Sequence, residues 1–520
     1  MPASQKIITK LRERRQIEAD LRQMLKARSE VEFQRQAQRI ASLGSQVIPT
    51  IVGNLHQADA RLLAAMGTVA TFLDPAHVTS ALHQAVLQPQ QTDRARIGAL
   101  TILERFLGQP ANDNLLASLR DPQGMAISSL EEVLSQVEDN PTILIQYIEE
   151  LDQQEPDIVL AVAQSLRDVG APSPVADHRH QAVEPLRMMA QDVREQIAGE
   201  ALRALGTIRL PEAARALQVM SPITAPALRP QAERLLRKLR FSGVPVSPLP
   251  PAEPHWRALI SPVNGRGQQS VWFLQRILLT EHTQFLNVLL SDRAGAVEAI
   301  GHSQVPGRIL PPQRPPGYVH DIALPDGSGA MLMVEVAFDL GRRLVLESLA
   351  RNRRTQIPVA GPLRLLSPWL WGYGGADSLP IRRLPALDAV DEALLDVSDR
   401  VLAHPAFVTW TARSEATFRA AEEALRHPGW DQEVWVKRLT GELLGEPEVA
   451  RVLSGRLESM SEWLLLTGDE SRAGMALVAA RAIGNRPPQE QPFVRALVRR
   501  DLNVLMQRLQ VSELVSGTEQ

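Results

Sequence analysis

His302, His320, Asp321, Glu335 and Asp339 are the polar set in this sequence dense enough to suggest a metal or acid–base site. Such residues could hold a divalent ion, or pass a proton as general acid and base. Their spacing argues against both. No His-Glu-x-x-His helix, Gly-x-Ser-x-Gly turn or helical histidine pair joins them, so nothing in the spacing aims two ligands at one point. If residues around 320 form a strand, His320 and Asp321 point to opposite faces. All five are read as solvent-facing positions on or beside a sheet. The "DHRH" stretch, Asp177 to His180, has metal-ligand letters but follows "GAPSP", which makes it a polar loop between helices. The chain has no cysteine, which removes disulfides, thiol nucleophiles, cysteine-ligated zinc and iron–sulfur clusters. The sequence therefore assigns no catalytic residue, no metal ligand and no cofactor.

A second candidate lies in "ISPVNGRGQQSVWFLQRILL", residues 260–279. Asn-Gly-Arg-Gly could grip a phosphate or simply turn the chain. A phosphate loop leads from a strand into a helix and, in the P-loop, carries a Lys-Ser/Thr pair; neither is present here. The flanking "WRALISPV" and "SVWFLQRILL" are rich in β-branched, aromatic and aliphatic residues, and Asn-Gly tolerates positive φ at both positions. The stretch is read as a β-hairpin. A third strand from Phe285 and a fourth from Tyr318 extend the pattern, with an Asp326–Gly327 turn after them. Residues 331–338 fit a strand or the start of a helix, and "DLGRRLVLESLARNRR" is helical. "SPWLWGYGG", with Trp369, Trp371 and Tyr373, suits packing between domains, with an aromatic recognition surface as the alternative.

The elements that must position these residues change character near the middle of the chain. All eight tryptophans lie at or after Trp256. The preceding "FSGVPVSPLPPAEPHW" is proline-rich, which fixes backbone angles and removes amide donors, as in an extended linker. Upstream, apolar residues recur every three or four positions, as in Leu62, Leu63, Met66, Val69 and Ile97, Leu100, Leu103, Leu107. Similar phrases recur as well. "LLAAMG" ends at Gly67, "LTILERFLG" at Gly108, "VAQSLRDVG" at Gly170 and "ALRALG" at Gly206, with "LEEVLSQVEDN" a degenerate copy ending at Asn140. Breakers after several of them (Asp74–Pro75, Asn140–Pro141, Pro211) suit a second helix opening on proline. Helix pairs of this kind bury their apolar faces only by stacking.

The phrase "EALRALGTIRLPEAARAL" resembles HEAT-like repeats, including the type named after phycobilisome lyases, over roughly residues 46–242. The whole chain is similar to uncharacterised bacterial HEAT-repeat proteins with an appended domain. The resemblance implies an α-solenoid and a habit of binding protein partners. It brings no catalytic residues, and no lyase site can be matched.

The expected organisation is mainly α: a charged N-terminal helix (1–45), a HEAT-like α-solenoid (46–242), a Pro-rich linker (243–255), an α+β domain (256–375) and a C-terminal helical bundle (376–520). The first forty residues carry ten Lys/Arg against five Asp/Glu. This is read as a solvated capping helix. In the last part Pro447 opens a helix ended by Gly468, and Asp469 caps an antiparallel successor. A net charge of −3 argues against nucleic acid as the main partner, and no apolar run is long enough for a membrane span or signal peptide. A cytoplasmic location is expected. Only five of the 56 Lys/Arg residues are lysines, so arginine-rich stretches reflect coding bias as readily as function. The expected function is a non-enzymatic scaffold or adaptor that holds a protein partner through the solenoid. The alternative is a metal-assisted hydrolase in the 256–375 domain, with the solenoid presenting substrate. Protein purified without chelator and freed of any affinity tag should contain no stoichiometric divalent metal by elemental analysis. One bound zinc or manganese per chain, lost on His320→Ala with the fold retained, would favour the hydrolase.

Overall fold

The computed structural model describes residues 14–109 apart from 15, 26, 28, 29, 59 and 89; Leu134; 140–170; 179–252; and 256–517 apart from 278–279, 324–328, 388–390 and 428. The degenerate copy before Asn140 (except Leu134), Asp177 and His178 of the "DHRH" stretch, and the Asp326–Gly327 turn lie outside these residues. The described residues are mainly helical, with one six-stranded antiparallel sheet among them. No helix among the described residues is long and apolar enough to cross a membrane. Two compact units divide at 132/133, inside the 46–242 stretch.

The first unit contains α1 (Glu30–Ala41), α2 (Ile48–Asn54), α3 (Ala60–Thr71), α4 (Pro75–Leu87) and α5 (Asp93–Thr101). Its core takes the residues that the periodicity marks, with Met66 and Val69 fully buried. Asp74 caps α4 by accepting from the amides of Ala76 and His77, and Pro75 occupies the first turn, where no amide donor is needed.

In the second unit three helix pairs follow: α6 (Ile143–Asp152) with α7 (Pro156–Val169), α8 (Arg179–Met189) with α9 (Glu195–Leu205), and α10 (Pro211–Met220) with α11 (Arg229–Phe241). The first helices, α6, α8 and α10, touch in one layer; the second helices, α7, α9 and α11, touch in another. Gly170 and Gly206, which end two of the repeated phrases, have a shared physical reason. A Cβ on Gly170 would lie 2.6 Å from Ile208 Cδ1, and one on Gly206 would lie 2.4 Å from Leu235 Cδ2. Each glycine therefore leaves room for an apolar side chain supplied by the next pair.

The sheet is built from β1 (Trp256–Ile260), β2 (Gln268–Arg276), β3 (His282–Ser291), β4 (Gly295–Pro306), β5 (Val319–Ala323) and β6 (Ala330–Ala337), in the order β4-β3-β2-β1-β6-β5. β4 was not anticipated. It is an edge strand with exposed Glu298 and His302, and its pairing with β3, rather than its own pattern, makes it a strand. The ambiguous 331–338 stretch is strand up to Ala337, and helix α12 (Phe338–Thr355) begins at the next residue. α12 covers the face carrying Ala258 and Phe273: a Cβ on its Gly341 would sit 2.7 Å from the Phe273 ring and 2.9 Å from Ala258 Cβ.

α13 (Gly361–Trp371) joins the sheet to the helix pairs by packing on α6, α8 and α10. Arg364, fully buried, donates to both oxygens of Asp152 at 3.0 and 2.9 Å. Arg187 of α8 donates to the carbonyls of Arg364 (2.8 Å) and Leu365 (2.7 Å) and to the Ser367 hydroxyl.

The last part comprises α14 (Glu392–Asp396), α15 (Glu415–Arg426), α16 (Gln432–Gly445), α17 (Pro447–Leu466), α18 (Glu470–Ala482) and α19 (Pro492–Gly517). α17 and α18 pack on each other, with Asp469 accepting from the Arg472 amide as the cap. Two indole N–H groups tie this part to the end of β1: Trp463 donates to Ile260 O and Trp410 to Val263 O, both at 2.9 Å.

β1 and β2 do form a hairpin, but not for the reason that the Asn-Gly pair suggests. Positive φ falls at Gly267 (79°), not at Asn264 or Gly265. Asn264 works through its side chain, whose Oδ1 accepts from the amides of Arg266 and Gln268. Gly265 is required by a neighbour: a Cβ there would lie 2.1 Å from Thr409 O. Gly265→Val should therefore lower unfolding stability by roughly 1–3 kcal/mol through overpacking against the 409–410 backbone. Chemical denaturation measures this, and an unchanged midpoint would show that the contact yields freely.

Candidate functional site

The second face of the sheet carries a polar cluster on an apolar floor. β1, β5 and β6 lie side by side, and their alternation brings Arg257, His320 and Glu335 to this face together. Arg257 Nη1 lies 3.0 and 2.7 Å from the two Glu335 oxygens, and His320 Nε2 lies 2.8 Å from Glu335 Oε2. The side chains are 12, 6 and 2% exposed for Arg257, His320 and Glu335. Leu259, Leu274 and Met333 form the floor, with Trp272, Phe285, Leu310, Ile322 and Met331 partly buried around them.

A strap, residues 307–317, crosses this face. It is rich in proline, so its carbonyls need partners while several of its positions have no amide to offer. Arg257 supplies those partners, donating to Pro311 O and, at 3.5 Å, toward Pro312 O. At the strap's end the Arg314 guanidinium sits 5.4 Å from the Tyr318 ring centroid, and Tyr318 meets the His320 ring edge to face at 4.9 Å. Arg257 thus links the buried carboxylate to the strap. It was not singled out in the sequence. The signal was a cation inside the otherwise apolar strand "WRALI".

Beside the strap opens a cavity of about 700 Å³, with Leu274 and Leu310 at its base and Arg276, Arg308, Glu281 and His282 at its rim. All four rim residues are exposed, and among the described residues Arg276 and Arg308 form no ion pair. The rim is predominantly cationic above an apolar base.

The sequence candidates divide in space. His320 and Glu335 meet. His302 lies on β4, at the opposite edge of the sheet, five strand spacings or about 24 Å from the strand of His320. Asp321 points to the other face, as strand alternation requires, and is exposed. Asp339 opens α12 and pairs with Arg342 at 2.9 Å. His180 lies 3.7 Å from Glu212 on the helical surface. Trp371 is buried beneath the Arg342 guanidinium, and Tyr373 meets Trp256 and Phe338 edge to face. Among the described residues no three His, Asp or Glu side chains are arranged to hold a metal ion.

Compared with known proteins, the chain matches no family model, no curated protein and no solved structure.

Removing Arg257 would leave Glu335 buried beside His320 alone and would free the strap. Arg257→Ala should lower unfolding stability by about 3–5 kcal/mol, the scale for breaking one partner from a buried ion pair. Urea unfolding tests it. A loss below about 1 kcal/mol would place the pair among solvent-screened surface bridges.

Proposed function

We propose that this chain is a non-enzymatic adaptor that holds a protein partner, with the HEAT-like stack of helix pairs as its frame and the strapped face of the sheet as its contact surface. The supporting observation is the cavity beside the strap, whose cationic rim and apolar base complement an acidic segment bearing an apolar side chain. The shared role of Gly170 and Gly206 supports reading the pairs as repeats. The stack's first layer already grips one helix of its own chain, through Arg187 donors to the backbone carbonyls of α13. That layer is therefore occupied, and the partner is assigned to the sheet. Against the hydrolase alternative we weigh that both oxygens of Glu335 are engaged by Arg257 and one of them also by His320.

The test compares proteins that co-purify with the full chain and with an Arg276→Glu, Arg308→Glu double variant. Both side chains are exposed, so circular dichroism and melting temperature should not change. The partner should be retained by the parent and lost from the variant. Identical co-purifying sets would overturn the assignment of the surface. Loss of the partner only when the exposed Ile158 on α7 is changed to glutamate would return the contact to the helix pairs.

A further inference from the structure

A second cavity, of about 300 Å³, lies elsewhere in the same unit and shares no lining residue with the one beside the strap. Its walls are the Ser291–Asp292 turn after β3, the C-terminal half of α12 and the N-terminal half of α17, and five arginines reach it: Arg351, Arg354, Arg382, Arg451 and Arg456. In a chain so rich in arginine the number alone means little. What each guanidinium binds is more informative.

Three of the five are engaged. Arg456 holds Asp292 at 2.5 Å and Gly265 O at 2.7 Å. Arg451 pairs with Glu448 at 2.6 Å. Arg382 reaches Glu458 at 3.4 Å, Glu462 at 3.5 Å and the Ser459 hydroxyl at 3.0 Å. Arg351 and Arg354 differ. Arg351 has only a long contact, 3.5 Å, to Ser291 O. Arg354 has no hydrogen-bond or ion-pair partner among the described residues. The carboxylate nearest to them along the helix, Glu347, is held by Arg343 at 2.9 Å.

Arg351 and Arg354 stand three residues apart on α12, so two like charges share one helix face, an arrangement that costs stability unless a counter-charge intervenes. Arg351 is half-buried, and burial, followed by the charges of Arg354 and Arg382, weakens its hold on its proton, while Asp292 and Glu347, which also line the cleft, act against that shift. Ser291 adds a third donor. Its Oγ accepts from the amides of Arg293 and Ala294, which leaves its own hydroxyl hydrogen free to point into the cavity. Two planar guanidinium forks and a hydroxyl around a small polar space are the donor set of a tetrahedral oxyanion.

We propose that this cleft is a binding site for a phosphate group, free or carried by a small monoester, held by Arg351, Arg354 and the Ser291 hydroxyl. A volume at the small end of ligand cavities limits the rest of such a molecule to a few heavy atoms. Binding neutralises the two facing charges, so it stabilises the fold as well as the ligand.

The experiment uses the full chain, with inorganic phosphate and glycerol 3-phosphate as probes and sodium chloride at matched ionic strength as control. Melting temperature and calorimetric titration are the readouts. Phosphate should raise the melting temperature saturably where chloride does not, and should titrate to about one site per chain. Arg351→Gln should weaken binding at least tenfold while the unliganded melting temperature stays the same or rises, because a like-charge contact has gone. The exposed Arg354→Gln provides the same test should Arg351→Gln misfold. Equal affinity for the two probes assigns the free ion, and tighter binding of glycerol 3-phosphate assigns a monoester; both support the site. No phosphate effect beyond that of chloride, or binding retained within twofold in Arg354→Gln, overturns it.

Discussion

The second unit depends on one buried charge. Arg364 lies inside the protein where α13 meets the first layer of helix pairs, and both oxygens of Asp152 face it. An unpaired guanidinium at that position would cost several kcal/mol, so the two elements can meet only in the register that joins them. Its own Nε donates to Val359 O, which fixes the turn into α13, while Arg187 of α8 and Gln191 in the turn after it donate to its carbonyl. Burial pushes the Asp152 carboxyl up from its ordinary value, with Arg364 pulling against it, as expected of a charge that is held rather than solvated. A pair of this kind does little for net stability compared with well-packed apolar residues. It does specify which surfaces may dock, and here it makes the 143–241 helices and the sheet one compact body.

Local signals made the helices legible. Asp74–Pro75, Pro211, Pro447 and Asp469 each open a helix where their chemistry requires, and Leu457, Met460, Trp463 and Leu464 share the buried side of α17. What escaped the sequence was information held by a distant partner. β4 is a strand because β3 offers it a ladder. Gly265 must be glycine because of Thr409, 144 residues later, and no short-range rule contains that contact. The boundary between units fell inside the apparent repeat region because similar helix pairs look alike whether or not a sheet is docked on them.

The tryptophan asymmetry has a comparable origin. An indole is large and apolar yet carries one donor, which suits the junction between a helical layer and the frayed end of a strand, where carbonyls outnumber ladder partners. Trp410 and Trp463 occupy that junction on Val263 O and Ile260 O, and Trp256 stacks on Phe338 where β6 passes into α12. The helix pairs before residue 242 meet their neighbours side by side, with backbone groups already paired within each helix. Aliphatic side chains and methionine make up most of the core there. Trp256, Trp410 and Trp463 thus mark where sheet and helix are joined.

The candidate sites were half legible for the same reason. His320 and Glu335 were visible as residue types, but their meaning turns on Arg257, which sits 63 residues before His320 and reaches the carboxylate only through strand order. Once the three are together, the cluster is a closed circuit: the carboxylate is paired, the imidazole is engaged, and the cation is shared with the strap's carbonyls. Arg257 and His320 Nε2 both converge on the Glu335 carboxylate, so its charge is met inside the sheet face rather than by solvent. Unmatched polar atoms lie instead at the rim beside the strap and in the cleft on α12. There, Arg276 and Arg308 at the rim and Arg354 in the cleft form no ion pair among the described residues, although Glu281 lines the first cavity and Asp292 and Glu347 the second.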